Sequence, residues 1–172
     1  MIFVTVGHEL PFDRLVRDVD DWAGRMARTD VFAQVGKSSY EATHIETREF
    51  LDPQAFRRRM SEATGIVSHA GMGTIITALE LGKPLLVMPR LAKYRETRSD
   101  HQVSTARRFA DAGRILTAFS REELFDQLDR LENRTISDSS PVGVSETLLV
   151  RLRSFIGGNE TKERCSRNRP KR

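Results

Sequence analysis

Three neighbouring features leave this chain few folds to adopt: the run Ile66-Val67-Ser68, the pair Gly71 and Gly73, and an apolar stretch closed by Gly82 and Pro84. Ile66 and Val67 are β-branched and suit a buried strand. The two glycines remove side chains where the backbone turns sharply or something approaches it. Ile75, Ile76, Ala78, Leu79 and Leu81 predict a helix buried on most of its surface, stopped before a second strand at Leu85–Met88. Such a unit aims unpaired backbone N–H groups and the positive end of a helix dipole at one spot, where phosphates bind in many α/β proteins. The chemistry is therefore expected between Ser68 and Thr74.

The same alternation runs along the chain. Strands are expected at residues 2–6, 31–35, 44–49, 65–68, 85–88 and 114–117. Between them, Phe12, Leu15, Val16, Val19, Trp22 and Met26 recur at helical steps. Asp52-Pro53 opens a helix with Phe56 and Met60 inward, and Ser99 or Asp100 caps one carrying Val103, Ala106, Phe109 and Ala110. Ser120 with Glu123 forms a capping box for a helix bearing Leu124, Phe125, Leu128 and Leu131. Strands alternating with helices predict a single Rossmann-like, doubly wound, mostly parallel sheet over residues 1–132. A polar linker at 133–140, a C-terminal helix at 141–157 and a basic, disordered tail at 158–172 are expected to follow.

Asp18-Val19-Asp20 resembles an Asp-x-Asp metal motif. On a helix, positions two apart point about 200° away from each other, so the pair cannot share an ion and is expected to form a solvated face.

At 172 residues there is room for one domain with a proper core, and no apolar run reaches the roughly 20 residues that span a bilayer. The opening residues read as a strand rather than a signal peptide, and Cys165 is the only cysteine, so a cytoplasmic location is expected. The net charge of +4 equals the excess carried by the tail alone, where Lys162, Arg164, Arg167, Arg169, Lys171 and Arg172 face only Glu160 and Glu163. No aromatic residues interleave with those charges, which argues against nucleic acid as a partner and leaves attraction to an anionic membrane open.

Ligands of a doubly wound sheet lie beyond the carboxyl ends of its strands. Those segments are Val6-Gly7-His8, the loop after Gly36, Ser68–Thr74 and Pro89–Gln102. Gly71-x-Gly73 lacks the third glycine of a nicotinamide fingerprint, and no P-loop lysine follows a glycine loop. No Gly-x-Ser-x-Gly elbow frames Ser68, and His69 and His101 have no further ligand at zinc spacing. What remains is a diphosphate held by N–H groups and hydroxyls, as in a nucleotide-sugar.

Ser68-His69-Ala70-Gly71-Met72-Gly73-Thr74, Gly82-Lys83-Pro84, Met88-Pro89-Arg90 and Asp100-His101-Gln102 resemble the donor-binding half of GT-B glycosyltransferases. The resemblance is to the glycosyltransferase family 28 C-terminal domain in its free-standing form. Phe3-Val4-Thr5-Val6-Gly7 and Pro11-Phe12-Asp13-Arg14-Leu15 also look like that group. The resemblance implies that Gly71, Met72, Gly73 and Thr74 cradle the diphosphate of a UDP-sugar, with Ser68 beside it, His69 either against the phosphates or shaping the turn, and the Gly7 loop closing over the nucleotide. It also implies that Gln102, with His101 beside it, holds the donor sugar. Where many relatives carry an acidic ribose contact, this chain has Thr77, a weaker one. Arg90, with Lys93, Arg95 and Arg98, either stabilises the leaving diphosphate or belongs to an ordinary solvated loop. His8 is either a catalytic base or a polar residue lining the nucleotide.

The family likeness further implies an inverting transfer without a bound metal or cofactor, the UDP-sugar being the donor substrate. A complete GT-B enzyme has two Rossmann-like domains and this chain builds one. The expected partners are therefore a membrane-anchored subunit with the acceptor domain and a lipid-linked saccharide acceptor, in exopolysaccharide or capsule synthesis. The chain would then sit peripherally on the cytoplasmic membrane face. The alternatives are a non-catalytic nucleotide-sugar-binding accessory subunit and another nucleotide-dependent α/β enzyme, such as a phosphatase or an oxidoreductase.

Overall fold

Each expected strand except the third is apolar on both faces, and such strands are stable only with helices on both sides. The computed structural model, which describes residues 1–133, has that arrangement. Strands β1 (Ile2–Thr5), β2 (Val31–Gln34), β3 (Glu46–Arg48), β4 (Gly65–Ser68), β5 (Leu85–Val87) and β6 (Leu116–Thr117) form one sheet. Its order is β3-β2-β1-β4-β5-β6, and every pairing is parallel. Strand order reverses between β1 and β4, so that is where a crevice opens.

Helices α1 (Asp13–Arg25) and α5 (Arg121–Asn133) cover one face. Helices α2 (Pro53–Glu62), α3 (Met72–Glu80) and α4 (His101–Asp111) cover the other. Side chains alternate accordingly along β1. Ile2 and Val4 pack with Leu15, Val19 and Leu128, whereas Phe3 packs with Met60, Ile75 and Ala106. The single fold class expected from the sequence is the one observed. The expected linker, C-terminal helix and tail lie outside the described residues, apart from Asn133, which ends α5.

Three local expectations are corrected. The third strand is shorter than residues 44–49, and its Glu46 and Arg48 are exposed, as suits an outer strand. Helix α3 buries only Thr74, Ile75 and Ala78, while Ile76, Leu79 and Leu81 stay partly exposed. Asp18 and Asp20 are not a solvated face: both are buried, at 6% and 0% exposure. They turn to different partners. Asp20 accepts hydrogen bonds from the Tyr40 hydroxyl and from the Thr43, His44 and Ile45 amides, and Asp18 pairs with Arg121 at 3.3 Å.

Candidate functional site at the carboxyl edge of the sheet

Parallel strands put every β-to-α loop on one edge, and the register brings three polar side chains together there. Thr5 lies beside Gln34 on one side and Ser68 on the other. All three are buried, each ending an otherwise apolar strand. The Thr5 hydroxyl donates to Gln34 Oε1 at 2.6 Å, and Gln34 Nε2 donates to the Gly7 and Glu49 carbonyls. This row supports the Gly7 loop from below. The sequence signal for Thr5 and Gln34 is slight, a lone polar residue closing an apolar run.

Above the row sits the His69 ring, held between two glycines. Gly7 adopts φ +79°, and a methyl there would lie 2.7 Å from His69 Cε1. A methyl on Gly71 would overlap His69 Nε2. Both glycines are therefore required by the imidazole, whatever else approaches. Burial first, and the Arg90 guanidinium second, push the His69 pKa down to about 4, so the ring is neutral at pH 7. Its Nδ1 is buried without a hydrogen-bond partner among the described residues.

Gly73 differs from those two. A methyl added there meets nothing within 4 Å, so no protein atom packs against Gly73 in the first turn of α3. The Gly71 amide donates to the His69 carbonyl, and the Ile75 amide is the first to return into the helix, to Gly71. Between them the amides of Met72, Gly73 and Thr74 have no protein acceptor among the described residues. Three such donors at the positive end of a helix dipole suit an anion cradle.

The remaining candidates are placed as follows. The Ser68 hydroxyl donates to the His69 carbonyl at 2.8 Å and shapes the turn. The Thr77 hydroxyl donates to the Gly73 carbonyl at 2.9 Å. His8 is exposed and stacks on Phe50, with ring planes 4° apart. His101 is exposed at the start of α4, its Nδ1 3.0 Å from the Ser99 hydroxyl. Gln102 is 7% exposed, and its Oε1 accepts from the Arg90 amide. Arg90 is itself buried, its guanidinium donating to the Val6 and Leu10 carbonyls and lying 5.2 Å from the Phe12 ring. Arg90 thus ties the loop after β1 to the loop after β5. Lys93, Arg95 and Arg98 are exposed cations on the latter loop.

The loop after Gly36 borders a depression of about 510 Å³ lined by Gly36, Lys37, Ser38, Tyr40, Thr47 and Glu49, among others. Of the large apolar side chains exposed in the described residues, Leu10, Phe50, Met72 and Tyr94 all lie on loops or helix starts of this edge, and only Met26 lies elsewhere. The edge therefore combines an anion cradle with an apolar rim.

Residues 1–139 match the family model of the glycosyltransferase family 28 C-terminal domain. No curated protein matches the sequence. Among solved structures, the glycotransferase of kitacinnamycin superposes with a TM-score of 0.58 at 18% identity, over 91% of this chain and 39% of that one. ALG13, solved by NMR, superposes with a TM-score of 0.57 at 18% identity, over 88% of this chain and 92% of that one. MurG of Acinetobacter baumannii gives 0.56 at 19% identity, over 77% of this chain and 41% of that one. At these identities the likeness is one of fold. This chain spans less than half of two of these proteins and nearly all of the third.

Proposed function

The chain belongs to the family of glycosyltransferase family 28 C-terminal domains, and from that premise we propose that it is the donor-binding half of an inverting glycosyltransferase acting on a UDP-sugar. The observation that carries this reading is the start of α3. Three amides there lack protein acceptors among the described residues, and nothing packs against Gly73 in their midst. The diphosphate of the donor occupies that cradle, and the Gly7 loop, braced by Gln34, borders it from β1. Gln102 and His101 flank the sugar, and the exposed cations of the loop after β5 add positive potential as charge develops on the leaving group. An acceptor hydroxyl attacks the anomeric carbon from the opposite side. The new C–O bond forms as the bond to the diphosphate breaks, UDP departs with the electron pair, and the hydroxyl proton passes to a general base.

His8 is the candidate base on this chain. Its stacking on Phe50 equally suits a residue lining the nucleotide, and the base then comes from a second subunit. The apolar rim at Leu10, Phe50, Met72 and Tyr94 suits that partner, a membrane-anchored subunit holding the acceptor domain. The acceptor is a lipid-linked saccharide, in exopolysaccharide or capsule assembly at the cytoplasmic membrane face.

Thermal unfolding of the purified chain with UDP, NAD, inorganic phosphate or a panel of UDP-sugars tests the reading. The expected result is a midpoint raised by UDP and by UDP-sugars, by several degrees (about 2.7 kcal/mol at a hundredfold excess over Kd). A rise with NAD alone overturns it.

A further inference from the structure

Arg95 is one of two non-glycine residues with positive φ among the described residues, at 58°. A side chain in that conformation is disfavoured and persists only where its surroundings impose it. Arg95 follows a single 3-10 turn at Ala92–Tyr94, in the middle of the loop from β5 to α4. The next residue, Glu96, is gripped from α1. Arg14 Nε and Nη2 reach Glu96 Oε1 and Oε2, both at 2.8 Å, and the two side chains are only 21% and 12% exposed. Glu96 Oε2 also accepts from the Leu91 amide at 2.9 Å, and Arg14 Nη2 donates to the Pro89 carbonyl at 3.1 Å. The rings of Phe12 and Tyr94 lie 5.1 and 5.2 Å from the Arg14 guanidinium. A forked, charge-assisted and mostly buried pair of this kind is far stronger than a surface ion pair.

The grip reaches the ligand edge through the backbone. Holding Pro89 and Leu91 fixes Arg90 between them, and the Arg90 amide donates to Gln102 Oε1. An amide N–H only donates, so Gln102 presents its oxygen to Arg90, and that bond fixes the direction in which its NH₂ donors point.

We propose that Arg14 and Glu96 are positioning residues for the sugar of a nucleoside diphosphate sugar. They hold the strained loop after β5 so that Gln102 is oriented before the donor arrives. This rests on the reading in which Gln102 holds the donor sugar. The diphosphate cradle on α3 does not depend on the pair, so UDP and UDP-sugar binding respond differently to its loss.

The test is isothermal titration of the full chain with UDP, UDP-glucose, UDP-galactose and UDP-N-acetylglucosamine, for the wild type, Glu96→Gln, Glu96→Asp and the double variant Arg95→Gly with Glu96→Gln. Glu96→Gln is expected to weaken the tightest UDP-sugar about tenfold while UDP changes less than about twofold. Adding Arg95→Gly removes the strain that the grip opposes and restores most of the loss. If Glu96→Gln fails to fold, Glu96→Asp shows the same selective loss in a charge-conserving variant. Equal weakening of UDP and UDP-sugar, or no change in either, overturns the proposal while leaving the donor reading intact. A wild type that binds none of the four ligands overturns both.

Discussion

Two loops on the ligand edge handle their hydrogen-bond donors in opposite ways. The donors of the loop between β2 and β3 are met by two carboxylates of α1: Asp13 accepts from the Ser38 hydroxyl and from the Ser39 amide and hydroxyl, and Asp20 from Tyr40, Thr43, His44 and Ile45. Burial alone raises the pKa of both carboxyls, but these hydrogen bonds outweigh it and hold them below the usual range. Burial, and then the bond to Asp20, push the Tyr40 hydroxyl up to about 12. The turn from Ser68 to Thr74 has the same kind of donors and no carboxylate. The difference separates scaffold from site: donors met by a carboxylate of the same chain brace the fold, and donors left without one suit an anion from outside.

The largest effect expected on this contrast comes from Asp20→Ala. It strands three amides and two hydroxyls and should cost about 3 kcal/mol in urea unfolding. UDP affinity should change by less than about threefold, because the two loops share no partner. A comparable loss of UDP affinity would mean that the loops are not separate units.

Gly71→Ala comes next, since its methyl must displace the His69 ring, at about 2 kcal/mol. Gly73→Ala should do the reverse, stabilising the chain by roughly 0.5 kcal/mol because the methyl meets nothing and alanine favours the helix. The same methyl enters the cradle, so UDP affinity should fall at least about tenfold. Equal behaviour of the two variants would erase the distinction between a glycine needed by the fold and one needed by a ligand.

Acid titration separates the regions by pH window. The folded pKa of His69 is depressed to about 4 from 6.5, so its neutral form contributes stability that is complete above pH 6.5. That contribution, on the order of 3 kcal/mol, is lost as pH falls from 6.5 to about 4. Asp13 and Asp20, also depressed, contribute stability above the ordinary carboxyl value of 3.8 and lose it only as pH falls through their folded values. His69→Asn should flatten the first phase and spare the second, as measured by unfolding midpoints across pH.

The sheet and the α3 turn were legible in the sequence because each rests on neighbours in the chain. Apolar runs such as Phe3-Val4 and Ile66-Val67 declare strands buried on both faces, and Gly71 and Gly73 mark the turn. The anchors were not legible, because they join distant segments. Asp20 reads as one more charge on an amphipathic helix until the backbone amides of residues 43–45 arrive to meet it. Arg90 reads as a loop cation, but the carbonyls it holds belong to Val6 and Leu10. Glu96 stood unnoticed among basic residues, since its partner Arg14 lies on the first helix. The site residues picked from local pattern are those whose roles depend on local backbone, namely Gly71, Gly73 and Thr74.

The flanks of the sheet set one more condition. It ends in β3, three residues with exposed charges at both ends, and in β6, two residues long. Such stubs offer a neighbouring chain too few backbone groups to extend the sheet sideways. Among the described residues, the surfaces left for an assembly partner are therefore the loops and helices rather than the sheet edges.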